Sequence, residues 1–179
     1  SYSNALTVAS IDDSGRSAPF LLFNDQLELR YLEGGGSANN APMTSVAGTY
    51  EFFYLDAFGA DANGNSQFAS FADEVKGKVA ICNRGTSSFY QKDNTAAALG
   101  AAGVVIVNNQ AGVINMNLTG YEYTIPAVSI TLADGQAIKA ASQTQTLGDY
   151  TVYTGTGKVT DTIASGTNVK RSEAQLSSF

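Results

Sequence analysis

The chain holds no histidine among its 179 residues. A Ser-His-Asp triad, a Cys-His pair and a histidine-containing zinc site are therefore excluded within it, since each needs an imidazole as base or ligand. Nucleophilic chemistry without histidine requires a serine beside a lysine whose amine takes the hydroxyl proton. Ser87 or Ser88 with Lys92 is the stretch whose helical spacing suits such a dyad. A plainer reading suits it better: Ser88 caps a helix and Lys92 lies on that helix's solvated face. Asp56, Asp61 and Asn63 offer oxygen ligands on a glycine-containing loop of the sort that holds Ca²⁺, but their spacing fits no EF-hand. The carboxylate pairs Asp12-Asp13 and Asp73-Glu74 stand in turn-like, solvated contexts. No catalytic residue, metal or cofactor is expected.

Arg84 is the side chain whose placement suggests binding. It follows the apolar run KVAIC at 78–82 and precedes a helix start, where backbone N–H groups and the helix dipole favour an anion. Arg84, Gly85 and the amides of Ser87 and Ser88 are placed to hold a carboxylate of a peptide or of a neighbouring domain. Asn108 and Asn109 end the next strand beside them and shape its loop. The alternative, favoured on the residues alone, is that Arg84 ties its own turn to nearby carbonyls. Phe89 is expected in the core, anchoring the first helical turn. A dinucleotide site fails here, because NRGTSS holds one glycine where the fingerprint needs three and no acidic residue follows the second strand. Gly100 and Gly103 stand at the helix C-terminus, the wrong end for phosphate.

These residues need a strand, a turn, a helix and a second strand to position them. Gly77 to Asn109 supplies that order. Lys78–Cys82 and Val104–Val107 read as buried strands, and Ser88 with Gln91 forms a capping box that starts a helix near Phe89. Strands joined by one helix should run parallel with a right-handed crossover. Alanines at 96, 97, 98, 101 and 102 keep that helix thin enough to lie close to a sheet.

Elsewhere, 4–11 reads as a strand, and 20–23 with 27–32 as a hairpin about Asn24-Asp25. Residues 34–46 and 56–67 are loop by composition, the second with an Asn63-Gly64 turn. Residues 49–55 form an aromatic strand, 68–75 a short helix, and 125–130 a strand that starts beside Pro126. Thr131 with Asp134 caps a second helix reaching about Ala141. Residues 147–153 and 158–163 read as a closing hairpin turning at Thr-Gly-Thr-Gly, 154–157. Residues 164–174 read as a linker, and 117–119 is an Asn-Leu-Thr sequon.

Hydrophobic content of 44% with 15% charged residues fits one folded domain with a sizeable core. Ten basic residues, no basic run and a net charge of −6 argue against nucleic acid as a partner. No apolar run approaches the roughly 20 residues that span a bilayer. The single cysteine, Cys82, lies within a core strand and reads as a buried, inert thiol.

GKVAICNRG, SFYQK, AAALGAAGVVIVNN and IPAVSITLADGQAI, in this order and spacing between Val75 and Ala141, resemble the protease-associated (PA) domain. The resemblance implies an α/β (α+β) fold, a PA-like β-barrel or sandwich flanked by helices around the central strand–helix–strand unit. At the ends, NALTVASIDDSGR and QLSSF resemble segments of subtilisin-like serine proteases on either side of an inserted PA domain. The subtilase nucleophile motif GTSMA is missing. This second likeness implies three parts: a flanking strand at 1–16, a PA domain at 17–163, and a linker returning to the protease core at 164–179. It further implies a non-catalytic module that steers or restricts protein substrates at a triad elsewhere in a cell-envelope protease. Its partners would be that catalytic domain and a protein or peptide substrate, outside the cell or on the wall of a Gram-positive bacterium. A peptide-binding PA domain of a receptor or sorting protein, and a small stand-alone hydrolase, are the other readings.

Overall fold

A computed structural model describes residues 18–37 and 39–161. The strand expected at 4–11 and the linker expected at 164–174 lie outside the described residues. Within them the strands are β1 (Leu21–Phe23), β2 (Leu27–Leu29), β3 (Leu32–Glu33), β4 (Gly48–Leu55) and β5 (Val79–Asn83). They continue with β6 (Gly103–Val107), β7 (Ala127–Ile130), β8 (Gln143–Leu147) and β9 (Tyr150–Val159). The helices are α1 (Ala72–Val75), α2 (Phe89–Ala98) and α3 (Leu132–Ala141), with short 3-10 turns at Met43–Val46 and Ala69–Phe71.

The strands form one sheet in the order β2-β1-β9-β4-β5-β6-β7-β3, with β8 also paired to β9. β4 to β7 run parallel; the other pairings are antiparallel. β2 and β3 sit at opposite ends of this path, although Leu29 and Leu32 are so near in sequence that the chain between them reaches at most about 11 Å. The sheet must therefore curl until its two edges almost meet. The outcome is an open barrel, and the fold class is mixed α/β as the resemblance implied.

Alternation along each strand fills two cores. Leu21, Phe23, Phe52, Tyr54, Val79, Ile81, Val105 and Val107 face the inner one, which Ile138 of α3 helps to close. Phe53, Leu55, Ala80, Cys82, Val104 and Ile106 face outward, beneath α2 and the 108–126 segment. Ala96, Ala97 and Ala101 are buried there, so the thin alanine surface brings α2 against the sheet as expected. Cys82 is fully buried, and that burial pushes its thiol up to about 12.

The local signals explain most boundaries. Asn24 and Asp25 both adopt φ near +55° (54° and 58°), and Gln26 N donates to Phe23 O at 3.1 Å, which makes the hairpin turn type I′. The hairpin's second strand stops at Leu29 rather than running to 32, because Leu32 crosses to pair with Ser129 on the far edge. Gln91 Oε1 accepts from Ser88 N at 2.9 Å, and Thr131 Oγ1 accepts from Asp134 N at 3.1 Å, so both predicted caps form.

The closing hairpin at 147–163 is corrected. β9 is a single strand through Thr154–Gly157, paired along its length with β4, and the hairpin turn lies earlier, at Gly148-Asp149. The glycines of TGTG serve close packing instead of a turn. A Cβ on Gly155 would stand 2.4 Å from Cζ of Phe23, and one on Gly157 would stand 2.9 Å from Leu22 O.

Candidate functional site

Parallel strands gather their C-terminal ends at one edge of a sheet, and the residues just beyond those ends form a natural crevice. Here these residues are Asp56 after β4, Arg84-Gly85 after β5, whose last residue is Asn83, and Asn108-Asn109 after β6. α3 leans over them with Gln136 and Lys139. Arg84, Gly85, Asn108 and Asn109 share a cleft of about 320 Å³ with Phe58 and Lys139. Arg84, Gly85, Ser87 and Ser88 share a second, of about 330 Å³, with Tyr90, Asn117 and Thr119. The six sequence-selected residues thus fall into two groups, and Arg84-Gly85 is the ridge between them.

Arg84 has structural partners. Its Nη1 donates to Asn108 Oδ1 at 3.0 Å, its backbone N donates to Val107 O at 2.8 Å, and its guanidinium lies 5.6 Å from the centre of the Phe89 ring. Asn108 is buried, accepts from Asn109 N at 2.9 Å and donates through Nδ2 to Gly112 O at 2.9 Å. A salt bridge to Arg84 is not present among the described residues. The guanidinium is therefore held by the neutral Asn108 and Phe89 side chains where the two clefts adjoin. Phe89 is half-buried rather than a full core residue, and its ring serves as the surface under Arg84. Gly85 has no positive φ; it is required because a Cβ would overlap the Phe58 ring at 2.2 Å.

Lys92 departs from expectation. It is fully buried, not on a solvated face. Its Nζ donates to Phe58 O at 2.8 Å and to Ser87 Oγ at 2.8 Å, and sits 5.4 Å from the centre of the Phe58 ring. Ser87 Oγ in turn donates to Phe58 O at 3.1 Å. The distance suits a Ser–Lys dyad, but the hydrogen bonds run the other way. The ammonium donates to the serine, and the serine proton is spent on a carbonyl. Such an arrangement ties the Phe58 loop to the start of α2 and leaves no amine lone pair facing Ser87. Burial holds the Lys92 ammonium below the usual lysine range, opposed by Cys82 and Asp93.

The neighbouring groups on α3 and β4 escaped the sequence reading. Lys139 Nζ pairs with Asp56 Oδ1 at 3.0 Å and lies 5.4 Å from the centres of both the Tyr54 and Tyr153 rings. Asn83 Nδ2 donates to the same Asp56 oxygen at 2.7 Å, and Tyr54 Oη donates to Asn83 Oδ1. Burial, with the Asp56 charge behind it, pushes the Tyr54 phenol far up. Asp61 instead braces its own loop, accepting from Asn63 N and Asn65 N at 2.9 Å each. Asp56 and Asp61 are thus each committed to protein partners, in different places. No signal in the local sequence links Lys139 to Asp56 across 83 residues; only the barrel brings them together.

The PA domain family matches residues 21–138. The chain belongs to the PA domain family. A PI-type proteinase of Lactococcus lactis subsp. cremoris is 29% identical over 137 residues, which is 75% of this chain and 7% of the relative. Aminopeptidase YwaD of Bacillus subtilis is 40% identical over 70 residues, 38% of this chain and 15% of the relative. Among solved structures, the aminopeptidase from Aneurinibacillus sp. strain AM-1 superposes with a TM-score of 0.53 at 27% identity, over 83% of this chain and 32% of that one. This PA domain therefore spans a small fraction of the relatives it matches, and those relatives are proteinases and aminopeptidases.

Proposed function

We propose that this PA domain is a non-catalytic module inserted in an extracellular or wall-associated subtilisin-like serine protease of a Gram-positive bacterium, where it steers or restricts protein substrates. The carrying observation is where the domain's two ends lie. Phe20 N donates to Thr160 Oγ1 at 2.9 Å, and Thr160 N donates to Phe20 O at 3.2 Å, so the chain arrives and departs side by side. A host can accept such a domain in one surface loop without spanning it. The ends leave beside Gly48, at the start of β4, whereas the Arg84 clefts lie past its far end at Leu55. At about 3.3 Å per residue that separates host junction and clefts by roughly 20 Å. The clefts then face away from the host, toward an arriving substrate.

The reading of a protease host rests on the proteinase relatives, of which one matches three-quarters of the chain and another is named as a minor extracellular protease. An aminopeptidase host is the second reading, favoured by the 40% identity with aminopeptidase YwaD and by the superposition on an aminopeptidase. The flanking gene sequence separates the two.

A module of this kind acts on binding and orientation, not on the bond-breaking step. Deleting residues 20–160 from the full-length protease should change cleavage of large proteins while leaving that of short peptides within about twofold. Unchanged cleavage of both refutes the proposal. Within the domain, Arg84→Ala should weaken peptide binding by about tenfold and cost about 1 kcal/mol of stability through the lost Asn108 bond. Lost stability with unchanged binding makes Arg84 a strut alone.

A further inference from the structure

Helix α2 buries two successive ionisable side chains, and only one of them is provided for. Lys92 has Phe58 O and Ser87 Oγ. Asp93 is fully buried, and neither carboxylate oxygen has a hydrogen-bond partner. Lys92 and Asp93 form no ion pair among the described residues. An ionised carboxylate in such a place loses its hydration with nothing in return, whereas the neutral acid loses far less.

The groups whose charges bear on Asp93 are Lys92 on its own helix, Cys82 on β5 and Tyr121 in the 108–126 segment. Lys92 favours the ionised form, but burial outweighs it, and the Asp93 carboxyl is held well above the usual carboxylate range. Tyr121 and its neighbours are fastened to the same helix. Tyr121 is buried with its phenol donating to Ile125 O at 2.7 Å. Asn94, next along α2, donates to Gly120 O at 3.3 Å and accepts from Glu122 N at 3.0 Å. A Cβ on Gly120 would stand 3.0 Å from the Tyr90 ring. The segment so held also carries Asn117 and Thr119, which line the second cleft.

We propose that Asp93 is a pH-sensitive latch: as a neutral acid it permits the 108–126 segment to close on α2, and on ionising it drives that segment open and unmakes one wall of the second cleft. The sign follows from linkage. With the segment open, Asp93 meets water and has an ordinary pKa of about 4; with it closed, the pKa is higher. Closure is therefore fully favoured below about pH 4 and weakens by up to tenfold per pH unit above it, until the closed-state pKa is passed.

The test follows Asp93 and the segment together in the intact chain. Hydrogen-exchange protection of the Tyr121 and Glu122 amides, corrected for intrinsic rate, should fall as pH rises from about 5 to 9. Asp93→Asn and Asp93→Leu should abolish that slope. Carbon-13 titration of the Asp93 carboxyl in the unmodified protein should give a midpoint well above 4 that coincides with the loss of protection. An ordinary midpoint of about 4 overturns the latch, as does a raised midpoint with an unmoved segment. The same slope in both variants overturns it too. Should neither variant fold, the titration and the exchange in the unmodified protein decide by themselves.

Discussion

Lys92 shows how a buried charge can serve a fold without catalysing anything. Its ammonium gathers the Phe58 carbonyl and the Ser87 hydroxyl into one node, and that node fixes the Phe58 ring against Gly85 and the Arg84 turn. Charge-assisted hydrogen bonds of this sort contribute about 1.5–3 kcal/mol, and removing one partner leaves the others unsatisfied. Lys92→Ala should therefore cost about 3 kcal/mol in urea unfolding, from lost bonds and a cavity together. Lys92→Met keeps most of the packed stem and should cost about half that. A cost below about 0.5 kcal/mol for the alanine variant would mean that the node is ornamental. The sequence showed the Ser87–Lys92 spacing, but not which way the hydrogen bonds run. That direction is set by the Phe58 carbonyl, which a distant loop delivers.

Among the elements, β9 depends most on residues that have no side chain. Gly155 and Gly157 let the Phe23 and Phe52 rings, 5.6 Å apart, fill the inner core directly beneath the strand. Gly157→Ala must push against the Leu22 carbonyl, which belongs to a paired strand and cannot swing aside. The expected loss is about 1–3 kcal/mol, read as a fall of several degrees in melting temperature. The glycines also account for the misread hairpin. In sequence, Thr-Gly-Thr-Gly has the composition of a turn, and only the aromatic rings that fill the missing side-chain space make it a strand. The central unit was legible because its evidence is local: an apolar run, a capping box, an alanine face and a terminating glycine lie within 33 residues. The inner core was not, since Leu29 and Leu32 separate to opposite sheet edges for reasons of closure that no window of sequence contains.

At the scale of the whole molecule, the barrel sorts its features to opposite ends. The paired ends at Phe20 and Thr160 lie at one rim, and the Arg84 clefts, the Lys139–Asp56 pair and the roof formed by α3 occupy the other. Because β4 runs between them as a continuous strand of eight residues, the two rims are joined by a stiff element rather than by a hinge. The loops after β4, β5 and β6 cluster at the far rim because their strands are parallel, a consequence of topology and not of local sequence.

The hydrogen-bonded meeting of Phe20 and Thr160 also makes the domain re-cuttable. A linker of a few residues can bridge that gap, and new termini can be opened at the exposed Gly148-Asp149 turn, where Gly148 adopts φ +61°. The resulting circular permutant keeps every strand pairing and should melt within about 5 °C of the original, since only one short loop closure has been exchanged for another. A permutant that fails to fold would show that β8 and β9 must be continuous for the barrel to assemble. If it does fold, the domain is a transplantable cassette: any surface hairpin of an unrelated protein offers the same two-strand gap, and could receive the Arg84 rim without either partner having to be redesigned.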